Sequence, residues 1–295
     1  MPDTHEPDPR GATGPETARK TWATLEPLHA MIYFSPEATA AYAELGLTGA
    51  SGYFASRSAA LGAVPAEVVV ATFFNFNPAL VRTAVPAAWD VTDPATVLAA
   101  RTRAADATLR RAAGGLLDTP DVARAARLAR TAAEAARDDL AGRPLFAAHA
   151  RLPWPDEPHL VLWHAQTLLR EYRGDAHIAA LVAAGLSGIE AFVTHEATGD
   201  PMPKALRASR GWPEDRWRAA ADGLRERGWL ADGPDPVLSD DGTRWRAEVE
   251  RVTDERAAAP YAALGADACA ELRALARPLA RAVRDNVIVA ALASR

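Results

Sequence analysis

Alanine-rich stretches recur along most of this chain and favour a helical fold, because alanine has the highest helix propensity of the amino acids. Residues 94–112 and 119–141 carry the clearest helical patterns. Residues 65–81 are harder to assign. Their valines and phenylalanines favour a strand, whereas Pro65 followed by alanine and glutamate suits the first turn of a helix. We favour a buried helix for this segment.

Three prolines within six residues mark a joint in the middle of the chain. Residues 142–158 contain Pro153, Pro155 and Pro158, which stop helices on either side. A chain of 295 residues is long enough for two ordinary domains. We therefore predict a disordered polar tail at 1–18, a helical N-terminal domain at 19–150 and a second domain at 151–295, which opens with a long helix at 158–184.

Composition excludes several classes of protein. The single cysteine, Cys269, cannot form an internal disulfide or a zinc site of paired cysteines. A formal net charge of −5 gives no overall attraction to nucleic acid or to anionic membranes, so a DNA contact would need a local basic patch. The chain has no apolar signal core, no run of 18 apolar residues and no glycine-rich phosphate loop. We expect a cytoplasmic protein with no membrane contact, no cofactor and no metal.

Residues 186–246 predict a series of short helices separated by turns. Two short helices precede a longer one at 213–227, and a turn-rich piece then leads to Leu238-Ser239-Asp240-Asp241-Gly242. This order resembles the MarR group of winged-helix regulators, in which a wing leads into the next helix through a similar motif. The resemblance implies that 213–227 is a recognition helix, that a small β-hairpin wing follows it, and that helices at 160–184 and 255–290 form a homodimer. The predicted fold is thus mainly α, with a helical N-terminal domain and a MarR-like winged-helix C-terminal domain.

Three further stretches extend the resemblance over most of the chain. They begin at Glu26-Pro27-Leu28-His29, at Ala71-Thr72-Phe73-Phe74-Asn75-Phe76 and at Leu169-Arg170-Glu171-Tyr172-Arg173-Gly174-Asp175-Ala176-His177. From residue 18 onwards the chain resembles an actinobacterial helix-turn-helix family that includes SalK-like proteins. This resemblance implies a fold and a kinship, and it supplies no catalytic residues.

The charges of the winged region oppose DNA binding. The predicted recognition helix carries as many acids as arginines, and the predicted wing carries two more acids than arginines. Contacts to phosphate need positive charge, so the acidic wing would repel the DNA backbone. Five arginines are the candidate DNA contacts: Arg207, Arg210, Arg216, Arg218 and Arg244.

The long helix carries a candidate anion site. At about 100° per residue, Arg170, Arg173 and His177 share one face, and two guanidiniums with an imidazole can hold a carboxylate, phosphate or sulfate. Alternatively, these arginines form ion pairs with acids of the chain. Gly174 costs about 1 kcal/mol in a helix relative to alanine, which suggests a close approach by another segment or a ligand, or a helix break.

A second polar stripe lies near the N-terminus. Glu26, His29, Tyr33 and Glu37 are spaced by three, four and four residues, so one unbroken helix would align them. His29 could act as an acid or base with Tyr33 or Glu37 as its partner. The catalytic candidates are His29, His177, Tyr33 and Glu26, and the candidate ligand-binding residues are Arg170, Arg173, His177 and Glu37. A structural histidine remains the alternative, and a metal site would need a third ligand such as His177.

Two functions follow from these patterns. The first is a ligand-responsive regulator that binds a small anionic molecule. The second is a biosynthetic enzyme on a repurposed winged-helix scaffold, with acid/base or elimination chemistry on an anionic substrate. Aromatic residues of the N-terminal half would form the core or, alternatively, a pocket wall: Tyr53, Phe54, Phe73, Phe74, Phe76 and Trp89.

Overall fold

Helices account for the architecture of the protein, as the mainly α prediction requires. The computed structural model describes residues 13–293. Residues 1–12 of the predicted tail lie outside this range, and α1 already begins at Pro15. The α-helices in chain order are α1 (Pro15–Ala30), α2 (Pro36–Ala43), α3 (Ala50–Ser58), α4 (Ala66–Phe73), α5 (Pro78–Val91), α6 (Pro94–Ala113), α7 (Pro120–Ala135), α8 (Pro144–Ala150), α9 (Pro158–Ala183), α10 (Gly188–Glu196), α11 (Pro201–Leu206), α12 (Glu214–Glu226), α13 (Asp240–Arg256), α14 (Ala259–Leu264), α15 (Ala266–Val283) and α16 (Ala290–Ala293).

The predicted β-hairpin wing is wrong, and with it the MarR-like winged-helix domain. Residues 13–293 contain no strand, and a single antiparallel bridge between Leu230 and Leu238 joins the ends of the turn-rich piece. Pro234 and Pro236 have no backbone N–H to donate, so a ladder cannot extend between these ends.

Two of the four acids assigned to the wing belong to the start of α13. The Ser239 hydroxyl accepts a hydrogen bond from the Gly242 backbone N–H at 2.9 Å and caps this helix. Asp240 and Asp241 occupy its first turn, where the helix dipole favours negative charge. The motif at 238–242 is therefore a helix cap.

The segment at 65–81 forms two helices with a tight connection. The predicted buried helix is confirmed as α4, in which Val69 and Phe73 are buried. Phe74 has a φ of 33°, a conformation that side-chain-bearing residues rarely adopt, and this residue ends the helix. Asn77 then caps α5 by accepting a hydrogen bond from the Ala79 N–H at 3.0 Å.

Helix α9 lies at the centre of the fold. Eighteen of its 26 residues are buried, and it packs against α1, α6, α7, α8 and α13. Because these helices already cover α9 within one chain, a homodimer would need another surface. One large apolar cluster joins α9 to helices from both ends of the sequence, including α1, α7 and α15.

Helices α10, α11 and α12, which we call the three-helix segment, have a smaller core of their own. Phe192, Trp217 and Leu224 are buried in it. A third cluster, the aromatic cluster, contains Phe54, Phe73 and Phe76. Residues 207–213, which we call the turn, connect α11 to α12 and include a short 3-10 helix at Arg207–Arg210.

The connection after α4 docks on the turn through hydrogen bonds to backbone carbonyl oxygens. Trp212 donates its indole N–H to the Asn75 carbonyl oxygen at 3.0 Å. Asn77 donates its backbone N–H to the Arg210 carbonyl at 2.9 Å and its side-chain amide to the Gly211 carbonyl at 2.7 Å. The turn is thereby fixed to the N-terminal half of the protein.

Two helical glycines have opposite surroundings. A Cβ placed on Gly174 would meet only side-chain atoms of Glu171 and Arg170, at 3.5 and 3.6 Å, and α9 continues through this position. Neither the close approach nor the helix break suggested by its sequence is present. A Cβ on Gly188 would lie 1.9 Å from the Phe74 carbonyl oxygen, so this glycine permits the docking of the connection after α4.

In the described part of the chain, no helix by itself combines the length and the apolarity that crossing a bilayer requires.

We expect Gly174→Ala to raise the free energy of unfolding by about 0.5–1 kcal/mol, because alanine removes the entropic cost of a helical glycine. Gly188→Ala is the matched substitution at a crowded position, and it should lower the free energy of unfolding by about 2 kcal/mol or more. Urea denaturation of both variants measures the two changes. If Gly174→Ala instead lowered the free energy of unfolding, the added Cβ would be meeting a closely approaching segment, contrary to the surroundings seen here.

Candidate functional site

An open cavity of about 550 Å³ lies between the N-terminal helices and the turn. Tyr33, Tyr53 and Phe76 line it from the N-terminal half, and Ser209 and Arg210 line it from the turn. Its size and aromatic lining are typical of sites for small organic ligands. The turn that connects α11 to α12 thus forms one wall of the cavity.

His29 lies fully buried beneath Tyr33. The Thr167 hydroxyl donates to the Trp163 carbonyl at 3.0 Å, so its oxygen accepts from His29 Nδ1 at 3.1 Å. His29 Nε2 is then left as the acceptor for the Tyr33 hydroxyl at 2.7 Å. Burial lowers the pKa of His29 well below its usual value, and the nearby guanidiniums of Arg170 and Arg101 lower it further. A neutral imidazole therefore faces the Tyr33 proton.

Glu171 is the buried carboxylate of this region. Burial raises its pKa, but the charges of Arg170 and Arg57 outweigh burial, so the net pKa is lower than usual and the group is ionised. Arg170 donates to Glu171 at 2.9 Å and lies 3.8 Å from Glu26. Burial raises the pKa of Glu26 to about 7, since the neighbouring Arg170 offsets only part of the desolvation.

Two further arginines lie deeper in the N-terminal half. Arg57 is 8% exposed, donates to the Tyr53 hydroxyl at 2.8 Å and lies over the Phe73 ring at 4.2 Å. Arg101 is 3% exposed and donates to the Ser56 carbonyl at 3.3 Å. A buried guanidinium is costly unless its charge is balanced and its donors are satisfied.

Arg210 brings a cation from the turn to the same region. Its guanidinium lies over the rings of Phe76 and Phe192, at 4.3 and 4.8 Å, and it donates to the Ser209 hydroxyl at 3.2 Å. Burial lowers the pKa of Arg210, and the like charge of Arg57 adds to this effect. The sequence suggested Arg210 as a DNA contact, but its guanidinium lies against the cavity instead.

Four of the sequence-predicted residues are brought together. Glu26, His29 and Tyr33 from the first polar stripe meet Arg170 of α9 around the Glu171 carboxylate. Spacing indicated that the first three share a face, and the structure adds that this face points at α9. Glu37, the last residue of the stripe, lies elsewhere, because α1 ends at Ala30 and Glu37 belongs to the separate helix α2.

Glu37 pairs with another helix. It contacts Arg111 of α6 and accepts a hydrogen bond from the Ser35 hydroxyl at 2.9 Å. Its pKa is lowered to about 2, chiefly by the hydrogen bond from Arg111. Within residues 13–293, no group of three or more His, Cys, Asp or Glu side chains is arranged to hold a metal ion.

Arg173 and His177 point away from Arg170, toward α13. Arg173 donates to Asp254 at 2.7 Å and to Glu250 at 3.0 Å. His177 Nδ1 lies 3.0 Å from the Thr253 hydroxyl, and burial lowers the pKa of this histidine to about 4. Carboxylates of the chain therefore already pair with Arg173, which the sequence predicted to bind an external anion.

The remaining candidate DNA contacts differ in how far they are neutralised. Arg207 pairs with Glu214 at 2.9 Å, and Arg244 contacts Asp241. Arg216 and Arg218 are exposed on α12, and among the described residues neither takes part in an ion pair. These two arginines are the positive groups that α12 presents to solvent.

Sequence reasoning missed Arg57 and Arg101 as site residues. Arg57 and Arg101 lie in stretches that are otherwise rich in small residues. Tyr53 was assigned to the aromatics of the core or, alternatively, of a pocket wall, and the structure places it in the cavity lining with a hydrogen bond from Arg57. A charged residue on the apolar face of a predicted helix was the available signal.

The comparisons with known proteins place the chain in a family. A model of a helix-turn-helix family matches residues 18–290, and the chain belongs to this helix-turn-helix family. No curated protein and no solved structure matches it. The whole-chain resemblance is confirmed at the level of a helix-turn-helix family.

The raised pKa of Glu26 predicts a pH-dependent stability. The folded state holds this proton more tightly than the unfolded state, so the stabilisation is complete below about pH 4.5 and is lost as pH rises through about 7. Glu26→Gln removes this loss, and the free energy of unfolding of the variant relative to wild type should increase by on the order of 2 kcal/mol between pH 4.5 and 8.

Urea denaturation at several pH values measures this difference, and Glu44→Gln at an exposed position of the chain is the control. The histidines titrate in both proteins, so their contributions cancel in the comparison. A difference that stays constant with pH would show that Glu26 ionises as readily as in the unfolded chain.

Proposed function

We propose that this protein is a ligand-responsive regulator, in which a small organic molecule binds in the cavity and changes how the three-helix segment contacts DNA. The observation that carries this proposal is the shared wall of the cavity, since Ser209 and Arg210 of the turn line it together with Tyr33 and Tyr53. A ligand held there would contact both halves of the protein at once.

The docked connection supports such a response. Asn75 and Asn77 hold the turn through hydrogen bonds to Trp212, Arg210 and Gly211. A ligand that binds more tightly to one position of the turn than to another shifts the population toward that position. Helix α12 directly follows the turn, so a shift of the turn would reorient it.

DNA binding by α12 is expected to be weak and sensitive to salt. Arg216 and Arg218 can contact phosphates or base edges, but Glu214 and Asp215 lie in the first turn of the same helix. Arg207 is held by Glu214, and Arg225 donates to Asp222 at 2.8 Å. Few arginines are therefore left for counterion release, which supplies most of the affinity for DNA.

The His29–Tyr33 pair favours a second candidate function, an enzyme that moves a proton on an anionic substrate. Tyr33 lines the cavity, and its hydroxyl proton points at the neutral Nε2 of His29. The Tyr33 oxygen could take a proton from a bound substrate while its own proton passes to His29 Nε2, where the Glu171 carboxylate, 3.9 Å away, would stabilise the resulting positive charge. This function predicts deuterium exchange into a bound ligand in heavy water, detected by mass spectrometry and abolished by Tyr33→Phe.

Replacement of Arg216 and Arg218 by alanine tests the regulator. On DNA from the region upstream of its own coding sequence, we expect the wild type to bind at low salt. The double variant should bind at least about tenfold more weakly, with a salt dependence shallower by about two counterions. Fluorescence anisotropy at several salt concentrations measures both quantities.

Arg244→Ala is the matched control, because it removes one exposed positive charge that Asp241 already neutralises. It should change the affinity less than twofold. Wild-type protein that does not bind this DNA, even at low salt, would contradict the regulator and favour the enzyme.

A further inference from the structure

Positive charge exceeds negative charge in the buried region behind the cavity. Four guanidiniums, those of Arg57, Arg101, Arg170 and Arg210, interact electrostatically with one another or with the same carboxylate. Glu171 is the ionised carboxylate among them, and Glu26 is the second acid within reach of Arg170. Even with both acids ionised, two positive charges remain without a balancing anion.

Several donors of these guanidiniums also lack acceptors. Arg57 Nε, Arg210 Nε, and both Nε and one terminal nitrogen of Arg101 are buried without a hydrogen-bond partner among the described residues. Each guanidinium presents five N–H groups, and an unmet buried donor costs about 1–3 kcal/mol. Native proteins keep few such groups, and a bound ligand is one way to satisfy them.

Tyr53 connects these cations to the cavity. Its hydroxyl accepts the hydrogen bond from Arg57, and its ring forms part of the cavity wall beside Arg210. Burial raises the pKa of Tyr53, but the charges of Arg57 and Arg210 outweigh burial and leave a net pKa below the usual value. The positive potential of both arginines thus converges on the Tyr53 oxygen, at the edge of the cavity.

We propose that the ligand of this cavity is an organic anion whose carboxylate or phosphate group binds between Arg57 and Arg210 beside Tyr53, with its apolar part against Phe76. The inference rests on the proposed ligand-binding function and names its ligand class. The sequence placed the anion site on Arg170, Arg173 and His177 of α9. The new site uses a different pair of arginines, one from each half of the protein.

The site also gives the anion a role in the response of the turn. Arg57 belongs to α3, whereas Arg210 belongs to the turn. Because these two like charges repel each other, an anion between them favours the position in which the turn lies against the N-terminal half. Loss of the anion favours separation of the two arginines.

Thermal unfolding with simple anions tests the site without DNA. Acetate, phosphate and benzoate are added at about 10 mM, each against sodium chloride of equal ionic strength. The melting temperature of the wild type should rise by about 2 °C or more with at least one of these anions. A larger gain with benzoate than with acetate indicates an aromatic carboxylate, and a larger gain with phosphate indicates a phosphate group. Benzamide, the neutral counterpart of benzoate, should give no comparable gain.

Arg210→Gln and Arg207→Gln are the matched variants. Both residues lie in the turn, but Arg207 pairs with Glu196 and Glu214 and points away from the cavity lining. Arg210→Gln should weaken the binding of the most stabilising anion at least tenfold, as measured by calorimetry. The affinity of Arg207→Gln for the same anion should stay within twofold of wild type. Arg210→Lys keeps the charge and should recover part of the affinity, which separates charge from packing.

Three results would overturn the proposal. These are the absence of stabilisation by all three anions, equal stabilisation by benzoate and benzamide, and unchanged anion affinity in Arg210→Gln. The DNA measurement is independent of them. Anion binding without DNA binding would contradict the regulator alone, and DNA binding without anion binding would contradict this site alone.

Discussion

The balance of buried charge around Glu171 is the interaction on which the rest of the structure depends. Helix α9 is the core of the protein, and it carries Glu171 and Arg170 into a region that also contains Arg57 and Arg101. A single charge in such a place would destabilise the fold, so each partner requires the others. Burial and the nearby guanidiniums keep His29 neutral, whereas burial raises the pKa of Glu26 against the opposing charge of Arg170. The tautomer that faces Tyr33 follows from the hydrogen bonds of Thr167.

The second constraint is the contact between the connection after α4 and the turn. The left-handed Phe74 and the missing side chain of Gly188 allow two backbones to meet, and Asn75 and Asn77 then fix the turn by hydrogen bonds. This contact forms the far wall of the cavity. The cavity and α12 are therefore linked by covalent connection through the turn and by packing.

Much of the local structure could be predicted from the chain alone. The helix at 94–112 and the long helix after Pro158 follow from helix propensity and from the positions of the prolines. The shared face of Glu26, His29 and Tyr33 follows from spacing. The wing was wrong because an order of short helices was read as a full domain, whereas Pro234 and Pro236 limit the pairing of its ends to one bridge.

The sequence by itself determined where many of the helices begin, because caps, prolines and alanine runs act within a few residues. It also determined membership of a helix-turn-helix family, which depends on order along the chain. Only the tertiary structure decided which arginines face solvent and which face the cavity. Arg173 and Arg210 carry the same charge, yet Arg173 contacts carboxylates of α13, whereas Arg210 lies against aromatic rings and near the guanidinium of Arg57. The burial and the pairing of a side chain depend on residues far apart in the chain, so the local sequence does not determine them.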